Sequence, residues 1–138
     1  MNKKKILFLC TGNSCRSQMA EGLAKKHFNK YEIMSAGTEP EPVNPNAIIA
    51  MNDIGINISD HKSKKIDINK LTSFDLVITL CDDANKKCPI VDSTKHMHWN
   101  IPDPAKYKGT DKQIKIEFTK IRNMIYNQII NLKNNFNE

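Results

Sequence analysis

The stretch that decides the fold lies near the start of the chain and reads Ile6-Leu7-Phe8-Leu9-Cys10-Thr11-Gly12-Asn13-Ser14-Cys15-Arg16-Ser17. Its first four residues form an apolar run that is typical of a buried strand. The loop that follows places a cysteine and an arginine on either side of five small or polar residues, and it can curl with its backbone N–H groups pointing inward. A helix that begins after this loop would add the positive end of its dipole at the same point. The stretch therefore predicts a cup for a tetrahedral oxyanion, with the Cys10 thiol at its base.

Length and composition indicate one domain that spans residues 1–138. Of the 138 residues, 39% are hydrophobic and 26% are charged, as is usual for globular proteins. No apolar stretch approaches the roughly 18 residues that cross a bilayer, and the apolar run after Lys3-Lys4-Lys5 is too short for a signal peptide. We therefore expect a cytoplasmic protein with no membrane partner. Its four cysteines would be kept reduced there, and they are better explained as reactive or metal-binding than as structural bridges.

The charge pattern argues against nucleic-acid binding and draws attention to one arginine. The net charge is +6, but the lysines are scattered and no aromatic residues interleave them as a base-stacking set. The chain has 19 lysines and only two arginines, Arg16 and Arg122. Since this chain uses lysine where charge alone suffices, an arginine at position 16 indicates a need for the rigid, two-pronged donor that suits phosphate-like groups.

Strand and helix patterns alternate four times along the chain. Strands are predicted over 6–9, 31–35, 76–80 and 96–99, and helices over 17–28, 45–54, 67–71 and from 110 onwards. Asn44, Asp67 and Thr110 are the expected N-caps, the last of them in a capping box with Gln113. This alternation predicts a single-domain α/β fold, in which helices cover both faces of a four-stranded parallel sheet.

Three distant segments would meet at the carboxyl edge of such a sheet, which is where ligands bind. Cys10 ends the first strand, Cys81 ends the third, and a loop that contains Asp103-Pro104 follows Trp99. An aspartate held over the cup is well suited to protonate a leaving oxygen. Taken alone, an aspartate before a proline is better explained as an ordinary turn residue.

Residues Cys10 to Ser17 resemble the phosphate-binding loop of the low-molecular-weight protein tyrosine phosphatases. The longer run from Cys10 to Gly22 is similar to that of the thioredoxin-coupled arsenate reductases, which share this fold. The pattern of that subfamily continues over nearly the whole chain, in the motifs Ser35-Ala36-Gly37, Val43-Asn44-Pro45, Leu80-Cys81, Cys88-Pro89, His98-Trp99 and Asp103-Pro104-Ala105. The resemblance implies that the loop binds arsenate, with phosphate or sulfate as analogues, through residues Thr11, Gly12, Asn13, Ser14, Cys15, Arg16 and Ser17.

The resemblance also implies a relay of three cysteines, Cys10, Cys81 and Cys88. Cys10 attacks the arsenic while Asp103 protonates the departing oxygen, and Cys81 then attacks the Cys10 sulfur so that arsenite leaves. Cys88 next attacks Cys81, and thioredoxin reduces the final disulfide by exchange. A helix over 81–88 would hold its end Cα atoms about 10.5 Å apart, whereas a disulfide needs them within roughly 7 Å. We therefore expect this segment to unwind when it is oxidised.

Two other functions remain open for this chain. The first is a phosphatase of the same fold whose extra cysteines tune its redox sensitivity, and a weak phosphatase side activity is also compatible with a reductase. Phosphotyrosine is disfavoured as a substrate, because such phosphatases usually carry aromatic residues after the Asp-Pro pair and this chain has Ala105-Lys106. The second is a non-catalytic oxyanion sensor, which would need no proton donor at position 103. Cys15 is assigned to the binding loop and not to turnover.

We expect neither a cofactor nor a metal, and we expect a monomer. The four cysteines and the two histidines near Trp99 show no spacing typical of zinc ligands. Members of the resembled family often hold a potassium ion behind the loop, at positions that match Asn13, Glu21 and Ser35 together with an aspartate. Lys64 stands at that last position, and we expect its ammonium group to replace the ion.

Overall fold

Four strands and three α-helices lie in the part of the chain that the computed structural model describes, residues 4–81, 84 and 95–135. In chain order they are β1 (Lys4–Cys10), α1 (Arg16–His27), β2 (Tyr31–Gly37), α2 (Pro45–Asn52), β3 (Leu76–Thr79), β4 (Lys95–His98) and α3 (Asp111–Asn135). Two 3-10 helices cover Ile68–Ser73 and Pro104–Lys106. The predicted site residue Cys88 lies outside the described residues.

The strands form one parallel sheet in the order β2-β1-β3-β4. Leu9 of β1 pairs with Ala36 of β2 and with Thr79 of β3, which in turn pairs with His98 of β4. This register brings the carboxyl ends of all four strands to one edge of the sheet. The predicted four-stranded parallel sheet is confirmed, with element boundaries that differ from the prediction by one or two residues. β1 includes Cys10, because its pairing with β2 continues to the Cys10–Gly37 pair.

The helix starts follow the capping signals in the sequence. The Asn44 side chain accepts a hydrogen bond from the backbone N–H of residue 46 at 2.8 Å, and Asp67 accepts one from residue 69 at 3.0 Å. At the start of α3, Thr110 and Gln113 exchange two hydrogen bonds, of 2.9 Å and 3.1 Å. The predicted capping box is confirmed, and it satisfies backbone N–H groups that the first helical turn leaves without a partner.

The two faces of the sheet carry two separate apolar clusters. The larger cluster packs Ile6 and Phe8 of β1 against all three α-helices, and it buries Trp99 and the apolar stripe of α3 at Phe118, Ile121, Ile125, Ile129 and Leu132. The smaller cluster contains Leu7 and Leu9 together with Cys10, Leu71, Phe74, Val77, Cys81 and Ala84. Because side chains alternate along a strand, successive residues from Ile6 to Leu9 enter opposite clusters, and Cys10 at the end of β1 joins the smaller one. The first 3-10 helix thus covers the face opposite the α-helices, as the prediction of helices on both faces requires.

Arg122, the arginine that no predicted function used, has a structural partner. Its Nη1 donates a hydrogen bond of 2.8 Å to the carbonyl oxygen of Ala50, which links α3 to α2.

Among the described residues, no helix combines the length and apolar character that crossing a membrane requires.

Candidate active site

The loop between β1 and α1 is organised around Asn13. This residue is fully buried and has a φ of 48°, in the left-handed region that asparagine tolerates better than most residues. Its side-chain Nδ2 donates to the hydroxyl oxygens of Ser17 at 2.8 Å and Ser35 at 2.9 Å. Its Oδ1 accepts from the backbone N–H of Lys64 at 2.9 Å. A buried side chain with three anchors of this kind holds the loop in one conformation.

The segment after β2 holds the loop from outside. The backbone N–H groups of Glu39 and Glu41 donate to the carbonyl oxygens of Thr11 and Gly12, both at 2.8 Å, and that of Asn44 donates to the carbonyl of Ser14 at 3.0 Å. In a trans peptide unit the N–H points away from the C=O. Each bond holds a loop carbonyl outward, so the N–H group of the residue that follows it, at positions 12, 13 and 15, faces the inner side of the loop. An anion cup requires this arrangement.

Gly37 lets the sheet approach the loop closely. A Cβ atom at this position would lie 2.5 Å from the carbonyl oxygen of Thr11 and 2.9 Å from the backbone nitrogen of Asn13. Any side chain here would collide with loop backbone rather than with a flexible group. The sequence indicated only that Gly37 ends a strand, and the structure shows that it makes room for the loop.

A cleft of about 760 Å³ opens at the carboxyl edge of the sheet and contains most of the predicted site. Its lining includes the predicted residues Cys10, Thr11, Gly12, Ser14, Cys15, Arg16, Cys81 and Asp103. Asn13 and Ser17 are fully buried and are absent from the lining. The structure thus brings together all the predicted site residues that lie within its described part.

Cys10 lies at the end of β1 with 3% of its surface exposed. Its Sγ is 2.9 Å from the Ser17 hydroxyl, which itself accepts a hydrogen bond from Asn13 Nδ2. A thiolate can only accept, so in that state Ser17 donates to the sulfur. No side chain caps the N-terminus of α1, which begins beside the loop and adds its dipole there. These surroundings suit a nucleophile at Cys10.

Cys15, the other thiol of the loop, has different surroundings. Burial raises the pKa of the Cys15 thiol to about 12. This thiol is protonated at neutral pH, so it does not compete with Cys10 as a nucleophile.

Arg16 and Asp103 face each other across the cleft. Arg16 Nη1 donates a hydrogen bond of 3.0 Å to the carbonyl oxygen of Ile101, and its Nη2 lies 3.6 Å from Asp103 Oδ2. The other oxygen of Asp103 accepts a hydrogen bond from the backbone N–H of Ala105 at 3.0 Å. These contacts orient both side chains in the cleft, in positions that suit the arginine to anion binding and the aspartate to proton transfer.

Cys81 lies two residues beyond β3, on the same edge of the sheet as Cys10. Its Sγ is 3.2 Å from Thr11 Oγ1 and accepts a hydrogen bond from the backbone N–H of Ala84 at 3.4 Å. It lines the same cleft as Cys10 and belongs to the same apolar cluster. A thiol from outside the loop therefore shares the cleft with the candidate nucleophile.

Behind the loop, the buried carboxylate of Glu21 is surrounded by donors. Ser35 donates to its Oε1 at 2.6 Å, and Lys25 Nζ lies 2.7 Å from its Oε2. Lys64 Nζ lies 3.9 Å from Oε1, and His61 Nδ1 lies 3.6 Å from Oε2. Burial alone would raise the pKa of Glu21, but these hydrogen bonds and positive charges outweigh it and hold the pKa below its usual value.

Several groups that support the site carried no sequence signal. The residues in question act through the backbone or through buried polar contacts, and they are Gln18, Glu39, Glu41, Ser63 and Ile101. Gln18 formed part of the quoted motif, but nothing in the pattern indicated that its side chain is fully buried. A backbone carbonyl such as that of Ile101 has no residue-type signature at all.

Comparisons with known proteins agree on one family. The family model described as low molecular weight phosphotyrosine protein phosphatase matches residues 5–138. The arsenate reductase of Shouchella clausii is 50% identical over 127 residues, which are 91% of either chain. A solved arsenate reductase in its oxidized state is 31% identical with a TM-score of 0.79, covering 96% of this chain and 98% of that one. One in a phosphate binding state is 32% identical with a TM-score of 0.74, at the same coverage.

Proposed function

Because this chain belongs to the low molecular weight phosphotyrosine protein phosphatase family, we propose that it reduces arsenate to arsenite with the phosphate-binding loop of that family. Support comes from a relative of 50% identity that is named arsenate reductase and matches 91% of this chain. The finer proposal is a relay through Cys10, Cys81 and Cys88, with thioredoxin as the final reductant.

The observation that carries this proposal is that Cys81, a thiol from outside the loop, lies in the anion cleft. Hydrolysis of a phosphoester needs one cysteine and then water. Reduction of arsenate needs two electrons, which two thiols supply when they become a disulfide. Cys81 lines the cleft that contains Cys10. That position suits a resolving thiol.

In the first step, the Cys10 thiolate attacks arsenic, so that an As–S bond forms and an As–O bond breaks. The inner N–H groups of the loop and the Arg16 guanidinium stabilise the charge on the remaining oxygens. Asp103 gives its proton to the departing oxygen, which leaves as water. Arsenic remains in the +5 state at this stage, so no electrons have yet been transferred.

In the second step, the Cys81 thiolate attacks the sulfur of Cys10. The S–S bond forms, and the electron pair of the breaking As–S bond passes to arsenic, which leaves as arsenite in the +3 state. Cys88 then attacks Cys81, which yields a Cys81–Cys88 disulfide and frees the Cys10 thiol. A thioredoxin dithiol takes over that disulfide and restores both thiols. Two electrons thus pass from thioredoxin to arsenic in each cycle.

Without thioredoxin, the fully reduced wild-type chain should form one arsenite per molecule and then stop. Peptide mapping by mass spectrometry should find the Cys81–Cys88 disulfide and a free Cys10. The Cys88→Ser variant should also form one arsenite, because its first two steps are intact, but it should retain a Cys10–Cys81 disulfide.

Thioredoxin, thioredoxin reductase and NADPH provide the control for this experiment. They should restore continuous turnover in the wild type and not in Cys88→Ser, because the disulfide of the variant stays inside the cleft. Normal turnover by Cys88→Ser would exclude the third thiol from the relay. Absence of arsenite from the wild type would exclude the reductase function itself.

A weak phosphatase activity is the second candidate function, and the family match favours it. Cys10, Arg16 and Asp103 suit cleavage of a phosphoester as well as attack on arsenate. Ala105 and Lys106 line the cleft, and none of the described residues in its lining is aromatic. We therefore expect small aryl phosphates to be hydrolysed slowly and phosphotyrosine proteins to be poor substrates.

We infer that the buried polar cluster behind the loop works without a potassium ion. A resident cation needs oxygen atoms with free lone pairs and uncompensated negative charge. Glu21 already accepts from Ser35 and is balanced by Lys25 and Lys64, while Asn13 Oδ1 accepts from a backbone N–H. These residues do not fit a bound cation, and the ammonium group of Lys64 stands in its place.

Replacing potassium chloride by sodium chloride at equal ionic strength should therefore leave kcat/KM unchanged. The Lys64→Asp variant should lose activity in sodium and recover part of it in potassium, because the substitution removes the ammonium group and adds a carboxylate ligand. Steady-state rates in the two salts test both statements. Activation of the unaltered chain by potassium would contradict the inference.

The relay needs a compartment that keeps thiols reduced and that contains thioredoxin. A cytoplasmic location and a monomeric state follow from the sequence reasoning and stay predictions. Size-exclusion chromatography with light scattering would measure the oligomeric state directly.

A further inference from the structure

Gln18, in the first turn of α1, has an unusually complete set of hydrogen bonds for a buried amide. Its side chain is fully buried. Its Nε2 lies 3.1 Å from both the carbonyl oxygen and the Oδ1 of Asn13, and 3.2 Å from the carbonyl oxygen of Lys62. Its Oε1 lies 2.9 Å from Nδ1 of His61. None of these groups lines the anion cleft.

These partners determine how the amide is oriented. Three oxygens surround one end of the Gln18 side chain, so that end must be the NH₂ group, which donates. The carbonyl end then faces His61, and only an N–H on Nδ1 of the imidazole can satisfy it. Burial lowers the pKa of His61 and so favours the neutral ring, and the contact with Gln18 Oε1 then assigns its proton to Nδ1. The histidine therefore prevents the amide from reversing.

The donor end of Gln18 acts on the residue that shapes the loop. Asn13 has the only positive φ among the described residues other than glycine. Gln18 holds both its backbone carbonyl and its side-chain oxygen. Asn13 in turn donates to the Ser17 hydroxyl, which contacts the Cys10 sulfur. A continuous line of hydrogen bonds thus runs from His61 through Gln18 and Asn13 to the thiol.

We propose that Gln18 is a positioning residue for the anion-binding loop, and that His61 fixes the direction in which its amide donates. Gln18 touches neither the anion nor the reacting sulfur. It acts through Asn13, whose left-handed conformation turns the following backbone N–H groups inward. The proposal concerns the binding of a tetrahedral oxyanion, so phosphate tests it whether or not arsenate is the substrate.

The direct test compares phosphate binding by Gln18→Met and Gln18→Glu with the wild type, using isothermal titration calorimetry. Methionine keeps the length of the side chain but removes one of the two donors to each buried oxygen of Asn13, leaving only the Ser63 hydroxyl on the carbonyl and the Lys64 N–H on Oδ1. We expect phosphate affinity to fall roughly tenfold. Glutamate keeps the shape of the side chain but places a carboxylate oxygen against the oxygens of Asn13, so we expect a larger loss of phosphate affinity. The single-turnover rate of Cys10 attack on arsenate, measured at saturating arsenate, should fall as well, because the loop also orients Ser17.

Leu23→Ala supplies the control for lost stability. Leu23 lies further along the same helix in the large apolar cluster and does not line the anion cleft. This variant should lower the midpoint of urea denaturation at least as much as Gln18→Met, yet bind phosphate as the wild type does. Equal phosphate affinity in Gln18→Met and the wild type, or an equal loss in Leu23→Ala, would overturn the proposal.

A double-mutant cycle tests the part played by His61. In His61→Asn, the side-chain amide can place an N–H near the position of imidazole Nδ1, so phosphate affinity should remain close to that of the wild type. His61→Leu removes the donor and should weaken phosphate binding. In the Gln18→Met background, His61→Leu should have no further effect, because the amide that it orients is gone. Additive losses would show that His61 acts independently and would overturn this part of the proposal.

Discussion

Replacing Cys10 by serine is expected to reduce arsenite formation by about 10⁴-fold or more, which is the scale seen when a nucleophile is removed. The serine hydroxyl is a far weaker nucleophile than a thiolate at neutral pH, and it cannot form the disulfide that supplies electrons to arsenic. Rapid-quench measurement of arsenite from the fully reduced chain tests this directly, with thioredoxin and its reductase in excess.

Phosphate binding provides the control for the Cys10→Ser variant. The loop N–H groups, Asn13 and Arg16 are unchanged by the substitution, so the affinity for phosphate should stay near that of the wild type. Cys15→Ser should lose far less activity, because burial raises the pKa of Cys15 to about 12 and keeps that thiol out of the chemistry. Substantial arsenite from Cys10→Ser would mean that the site has been assigned to the wrong cysteine.

Replacing Cys81 by serine is expected to abolish arsenate reduction and spare phosphoester hydrolysis. Cys10 can still attack arsenic in this variant. Cys15 also lines the cleft, but burial raises its pKa to about 12, so it supplies no thiolate to take the Cys10 sulfur and leave the electron pair on arsenic. Hydrolysis of p-nitrophenyl phosphate requires Cys10, Arg16 and Asp103 and should continue at the rate of the wild type. Parallel assays of arsenite and p-nitrophenol on the same preparation make the comparison.

The two assays separate the competing functions. Loss of both activities in Cys81→Ser would indicate that this thiol supports the loop through its contact with Thr11, rather than serving as a resolving cysteine. Loss of neither would make the chain a phosphatase in which Cys81 is incidental. Only the selective loss of arsenite formation fits the proposed relay.

Much of the fold could be predicted because its signals are local. The run Ile6–Leu9 is apolar throughout, as a strand buried on both faces must be. Asn44 and Thr110 cap their helices through side chains that reach only two or three residues along the chain. The stripe of α3 repeats at helical spacing, and all its members from Phe118 to Leu132 are buried. Each of these features depends on neighbours in sequence, so the sequence contains them.

The support of the site could not be predicted, because it depends on distant backbone groups. Arg16 is held by the carbonyl of Ile101, 85 positions away. The loop carbonyls are held by N–H groups of residues 39–44, and every non-proline residue has an N–H group. Gln18 has no distinguishing mark in the sequence, since its burial results from the approach of residues 61–63 to the loop. Residue types indicate which groups react, whereas the packing that orients them appears only in three dimensions.

The division of the interior into two unequal clusters has a mechanical consequence. Cys10 and Cys81 belong to the smaller cluster, while the three α-helices close the larger one on the other face of the sheet. A reaction that joins and separates these sulfurs would change the packing of the smaller cluster only. The larger cluster and the three α-helices on the other face of the sheet would stay as they are. We therefore expect the oxidised and reduced forms to have similar melting temperatures.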